Sequence, residues 1–132
     1  VVSQTPHPSP AVSTVGGNPI AARAGKAAND MIEQEGLLDS AKQLGQRFER
    51  RFRKLQKECD LVTYVRVVGT MVGLELAVDG TPVVKGCLDR KLLINCTHGT
   101  VIRLLPAMNL PEEQAEEGCD ILAEVIKNLP RQ

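Results

Sequence analysis

Between positions 37 and 55 the apolar residues Leu37, Ala41, Leu44, Phe48, Phe52 and Leu55 recur every three or four positions, the spacing of one helical face. An Ala-rich run, Ile20–Gln34, precedes them. It opens at Asn18-Pro19 and closes at Gly36. Asparagine is a good N-cap, proline suits the first helical position, and glycine suits a left-handed C-terminal cap, so the pattern predicts two successive helices. From Leu61 the period changes. Val62–Val68 and Met71–Val78 are rich in β-branched and apolar residues, with Gly69 and Gly73 as interruptions. They read as one strand, with a bulge at Gly69, ending at the Asp79-Gly80 turn.

Thr81-Pro82 repeats the cap-then-proline signal and predicts a short helix to about Arg90. Leu92–Cys96 and Val101–Leu105 read as brief strands joined tightly by Thr97-His98-Gly99-Thr100. Pro111-Glu112-Glu113 opens a last helix, its acids placed well against the N-terminal dipole. Its core stripe is Ala115, Cys119, Leu122, Val125 or Ile126, and Leu129. The expected fold class is α+β: a small, mainly antiparallel three-stranded sheet covered by helices, in the order α-α-β-α-β-β-α. Residues 1–12, with Pro6, Pro8 and Pro10 among Ser and Thr, are expected to be extended, and residues 13–132 to form one domain.

Composition narrows the function. Sixteen basic and sixteen acidic residues cancel, so no global field draws the chain to nucleic acid or to an anionic membrane. The aromatic residues are Phe48, Phe52 and Tyr64 alone, too few for a base-stacking platform. No apolar run approaches the ~18 residues of a membrane span, and no signal-peptide pattern opens the chain. The expected location is the cytoplasm. Cys59, Cys87, Cys96 and Cys119 include no C-x-x-C pair and read as free thiols, with no metal site expected. The second helix carries Arg47, Arg50, Arg51, Arg53, Lys54 and Lys57 opposite its apolar face. With Glu49 and Glu58 interleaved, this stripe reads as a solvated face in preference to a phosphate site. The chain begins with Val, which suggests a fragment or a processed product.

Two short stretches carry candidate chemistry. Ser13-Thr14-Val15-Gly16-Gly17-Asn18-Pro19 places hydroxyls and backbone N–H groups beside a helix start, where a phosphate could approach. By chemistry alone it reads more readily as a turn and a helix cap. Arg103 interrupts the apolar Val101–Leu105, where an unpaired buried charge would be costly. An edge-strand arginine pointing to water is the other reading.

Taken in order, Ser13–Pro19, Ala21–Gly25, Glu35-Gly36-Leu37-Leu38, Met71–Leu76, and Leu93–Thr97 with Val101–Pro106 resemble the C-terminal small domain of a class III aminotransferase, of the acetylornithine type, from about Ala11 to Leu129. The resemblance implies a pyridoxal 5'-phosphate enzyme, a homodimer, that transfers an amino group between N-acetylornithine or a related ω-amino acid and 2-oxoglutarate in arginine biosynthesis. It implies that Thr14, with Ser13 beside it, reaches the cofactor phosphate of the neighbouring subunit, and that Arg103 grips the substrate α-carboxylate. A planar guanidinium suits that task because it can hold a carboxylate through two parallel hydrogen bonds. Asn95 and Thr97 are possible pocket-wall residues.

The lysine that carries the cofactor in that family belongs to a large domain outside this chain. Lys26, Lys42, Lys54, Lys57, Lys85, Lys91 and Lys127 all fall on predicted helices or helix ends, none in the family's lysine context. No catalytic residue is therefore expected here, and the chain alone is expected to be inactive. Departures from the family pattern are Ala11 for the usual His, Val15 for Phe, Val67 and Val68 for Gly and Arg, and Lys91 for a Gly that often needs positive φ. The alternative reading is a stand-alone, non-catalytic α+β module that binds a small acid or a protein.

Overall fold

The structure, a computed structural model, describes residues 17–129, so Ser13 and Thr14 lie outside the described residues. The chain divides into two compact units at Glu35/Gly36. The described part of the first is helix α1, Pro19–Gln34. Its start is the predicted one: the Asn18 side chain accepts a hydrogen bond from the Ile20 amide at 2.9 Å, and Pro19 takes the first helical position. No residue of α1 is buried, despite its amphipathic pattern.

The second unit holds α2 (Leu37–Glu58), β1 (Val62–Val68), β2 (Met71–Leu76), α3 (Thr81–Asp89), β3 (Asn95–Thr97), β4 (Val101–Leu104) and α4 (Glu112–Lys127). The class is α+β as expected, but the sheet has four antiparallel strands, not three, in the order β1-β2-β4-β3. The segment read as one bulged strand is a hairpin. Gly69-Thr70 forms a two-residue connection between the paired Val68 and Met71, with Gly69 at φ 57. Glycine at the first position of such a turn is the residue that reverses a chain most tightly, and its signal also fits a bulge. The irregularity in this ladder falls instead between Val62 and Tyr64.

Helices α2, α3 and α4 cover one face of the sheet. Val65, Val72, Leu74, Leu76 and Ile102 point into that layer and meet Phe48, Phe52 and Leu55 of α2 and Cys119, Leu122 and Ile126 of α4. Both Val125 and Ile126 are buried, where the sequence left a choice between them. α2 comes close to the hairpin at Gly45. A Cβ there would lie 2.4 Å from the Gly69 carbonyl oxygen.

The basic stripe of α2 is not simply solvated. Arg47 pairs with Glu112 at 2.5 Å and with Glu116 at 3.0 Å, Arg51 with Glu116 at 3.2 Å and with Asp120, and Glu58 with Lys127 at 2.7 Å. The pairs 47–116, 51–120 and 58–127 share one separation of 69 residues, so α2 and α4 run parallel in constant register. The charges reverse sign along this ladder, which disfavours a shift that would set like charges opposite one another. Arg50, Arg53, Lys54 and Lys57 remain exposed. The four cysteines are free: Cys59, Cys87 and Cys119 are buried and Cys96 half-buried.

Candidate functional site

The side of the sheet away from the helices is covered by no element of the second unit. Alternation along each strand decides what it carries. In β2 the buried Val72, Leu74 and Leu76 leave Met71, Gly73 and Glu75 for the open face. In β4 the buried Ile102 leaves Val101 and Arg103. Residues directly opposite one another in an antiparallel ladder share a face, so register builds two rows across the sheet. One is Arg66–Gly73–Arg103–Asn95, the other Tyr64–Glu75–Val101–Thr97.

Within these rows the two arginines differ. Arg66 donates to Glu75 at 2.6 Å, and its guanidinium carbon lies 5.3 Å from the centre of the Tyr64 ring. Its charge is therefore compensated by a carboxylate and by an aromatic face. Arg103 donates through Nε to Asn95 Oδ1 at 3.3 Å, and among the described residues no carboxylate pairs with it. Asn95 is neutral and engages only the inner nitrogen. The terminal nitrogens, a fork of the kind that can hold a carboxylate, have no partner among the described residues. Between the arginines lies Gly73. A Cβ there would meet only Val101 and Arg66 side-chain atoms at 3.9 and 4.0 Å, so its absence leaves a shallow floor.

Arg103 is thus exposed on a central strand, facing neither the core nor an edge. Of the possible wall residues, Asn95 braces it directly. Thr97 shares its face but donates to the Val101 carbonyl at 3.5 Å. Tyr64, Glu75 and Gly73 were not singled out as site residues from the sequence. The signal was present in the period-two alternation, but without the hairpin at Gly69 the two halves of that segment could not be laid side by side.

All seven lysines are exposed, and all lie on helices or on the turn after α3, none on a strand of the sheet. Lys26, Lys54 and Lys127 are engaged by Asp30 or Glu58. Lys91 follows α3 at φ 64, the left-handed conformation anticipated for a position where glycine is usual. Among the described residues no group of three or more His, Cys, Asp or Glu could hold a metal ion, and no helix is long and apolar enough to cross a membrane.

Comparison with known proteins places the chain in a family. A family model for class-III aminotransferases matches residues 1–126. The acetylornithine aminotransferase of Nitrosomonas europaea is 43% identical over 106 residues, covering 80% of this chain and 27% of that protein. The ornithine aminotransferase of Bordetella pertussis is 37% identical over 117 residues, 86% of this chain and 28% of its own length. Among solved structures, the acetylornithine aminotransferase of Elizabethkingia anophelis superposes with a TM-score of 0.82 at 31% identity, covering 93% of this chain and 33% of that one. The chain spans about a third or less of the proteins it matches.

Proposed function

The chain belongs to the class III aminotransferases, and on that premise we propose that it is the C-terminal portion of an enzyme moving an amino group between N-acetylornithine, or a related ω-amino acid, and 2-oxoglutarate. In this reading the intact protein is a cytoplasmic homodimer serving arginine biosynthesis. The contribution of this chain is recognition. Arg103 receives the substrate carboxylate through its terminal nitrogens while Asn95 holds the inner one, which limits rotation of the guanidinium plane. Fixing the carboxylate sets the orientation of the substrate Cα. The observation that carries the proposal is the uncompensated charge of Arg103 beside a fully compensated Arg66 on the same face.

Pyridoxal phosphate supplies such enzymes with an electron sink for the substrate Cα. The described lysines do not fit its covalent attachment: each is exposed, and none stands on a strand of the sheet that carries Arg103. Ser13 and Thr14 are proposed to reach its phosphate across the dimer. The attachment lysine is assigned to the part of the enzyme that this chain does not span, and the chain alone is inactive.

Two measurements test this. Titration with 2-oxoglutarate, read at the Gly73, Asn95 and Val101 amide resonances, is expected to give a saturable shift that Arg103→Gln abolishes and Arg103→Lys weakens. Incubation with pyridoxal phosphate followed by borohydride is expected to give no stoichiometric adduct at a single lysine. A carboxylate response unchanged in Arg103→Gln refutes the recognition role, and a site-specific adduct refutes the division of labour.

A further inference from the structure

The two edges of the sheet differ. β3 is three residues long, short enough to offer little to another strand. β1 runs for seven residues, most of them β-branched. The direction of its backbone groups follows from β2 and the residue after it. Ala77 N–H donates to Leu61 C=O and Leu76 N–H to Thr100 C=O, each at 2.9 Å, so successive residues turn their groups to opposite neighbours. Counted back in twos from Ala77, Glu75, Gly73 and Met71 face β1, where they meet Tyr64, Arg66 and Val68. Val65 and Val67 lie between these pairs. Their N–H and C=O groups therefore point out of the edge, and among the described residues no backbone bond from outside the sheet reaches them.

The edge is closed only at its start. There the Gln56 side chain donates to the Thr63 carbonyl at 2.8 Å, beside the irregularity between Val62 and Tyr64. Beyond that point no proline or bulge interrupts β1, and its one charge, Arg66, is held by Glu75 at 2.6 Å. Tyr64, Val68 and Met71, along the edge and its turn, are 52%, 79% and 54% exposed. A long apolar edge left open in this way is a template for another strand.

The side chains of β1 match those of a second β1. Set antiparallel with Val65 opposite Val65, the two valines exchange a pair of hydrogen bonds. Each Val67 N–H then faces the Thr63 carbonyl of the other copy, which has a second lone pair to offer. On the open face Tyr64 stands opposite Arg66 of the other copy, twice by symmetry. That contact repeats the cation–aromatic pairing already made within one chain at 5.3 Å. A slip that centres the pairing on Arg66 keeps the hydrogen bonds of Val65 and Val67 but sets two guanidiniums opposite one another, which disfavours it.

We propose that β1 is a self-pairing edge: two copies of this chain join antiparallel through it, Val65 opposite Val65, and their sheets become continuous. The contact lies in the plane of the sheet and rests on no role of Arg103.

The test is sedimentation of the 132-residue chain over a concentration series, with amide hydrogen exchange read at Val65 and Val67. A dimer is expected, with exchange at both amides slowing as it forms. Val67→Pro removes an outward N–H that β2 does not use, so the strand keeps its ladder while the dimer is lost. Tyr64→Lys, at a half-exposed position, sets like charges opposite twice and is expected to weaken the dimer about tenfold, whereas Tyr64→Glu is expected not to weaken it. These two separate loss of pairing from loss of fold should the proline variant unfold. A chain that stays monomeric at about millimolar concentration would overturn the proposal. A dimer indifferent to Val67→Pro and to the charge at position 64 would overturn it by marking another surface. Protection of Val65 and Val67 that is the same at every concentration would do so by marking an edge already covered by the chain's own residues.

Discussion

Replacing Gly45 by Ala places a single methyl group where α2 meets the β1–β2 turn. In an exposed helix interior this change stabilises by about 0.5–1 kcal/mol, since alanine has less backbone freedom to lose. Here the new Cβ would stand 2.4 Å from the Gly69 carbonyl oxygen, 3.1 Å from its carbon and 3.3 Å from its Cα. The first distance is roughly 1 Å inside the ordinary approach of non-bonded heavy atoms. All three neighbours are backbone atoms of a tight turn, so no rotamer change relieves the overlap. Either the helix or the hairpin must move, and with it the packing of Phe48 and Phe52 against Val65 and Val72. Overpacking of this kind costs about 1–3 kcal/mol, which outweighs the helix gain. The expected net loss is about 1–2 kcal/mol, or a fall of about 4–8 °C in Tm for a chain of this size. Thermal and urea unfolding measure it, with Gly118→Ala as the control. A Cβ at Gly118 meets only Leu92 Cδ1 at 3.6 Å, so that variant is expected to keep or gain stability. If Gly45→Ala melts at or above the parent while Gly118→Ala behaves as expected, the close approach does not constrain the fold and the reasoning fails.

Lys91→Gly, at φ 64, is expected to raise stability by about 1 kcal/mol by removing left-handed strain; a lower urea midpoint would contradict this. Glu58 has its carboxyl pKa lowered, first by the hydrogen bond from Lys127. Its contribution is present above the unfolded carboxylate pKa and lost as pH falls through the lower folded value. Tm of Glu58→Gln should accordingly be less acid-sensitive than that of the parent below about pH 5. Burial pushes the Cys87 and Cys119 thiols up to about 11, so maleimide should label half-buried Cys96 first and these two only on unfolding. Their raised folded pKa favours the protonated form. That contribution is intact below the unfolded thiol pKa of about 8.5 and is lost as pH rises towards 11, measurable as a falling urea midpoint.

Local signals determined the helices. Asn18-Pro19, Gly36, Thr81-Pro82 and Pro111-Glu112 mark termini because capping and proline geometry act within a few residues, and each stands at or within one residue of an observed boundary. The buried stripes of α2 and α4 follow from helical periodicity for the same reason, whereas left-handed Lys91 was anticipated from the family resemblance, which places a Gly at that position. Arg103 stood out as a charge within an apolar strand.

Contacts between distant segments decided the rest. A glycine between two apolar runs suits a bulge and a hairpin alike. Only the pairing of Arg66 with Gly73 and of Gly73 with Arg103 makes four strands, and it puts both arginines on one face. Gly45 is a liability to an isolated helix, and its reason is the Gly69 carbonyl 24 positions away in the chain. The basic stripe of α2 looked solvated because its acids lie 69 residues downstream, on a helix whose parallel register no local pattern specifies. Periodicity and capping are set by nearest neighbours along the chain, and a sequence displays them directly. Register, face and charge compensation are set by neighbours in space, and they exist only once the chain has folded.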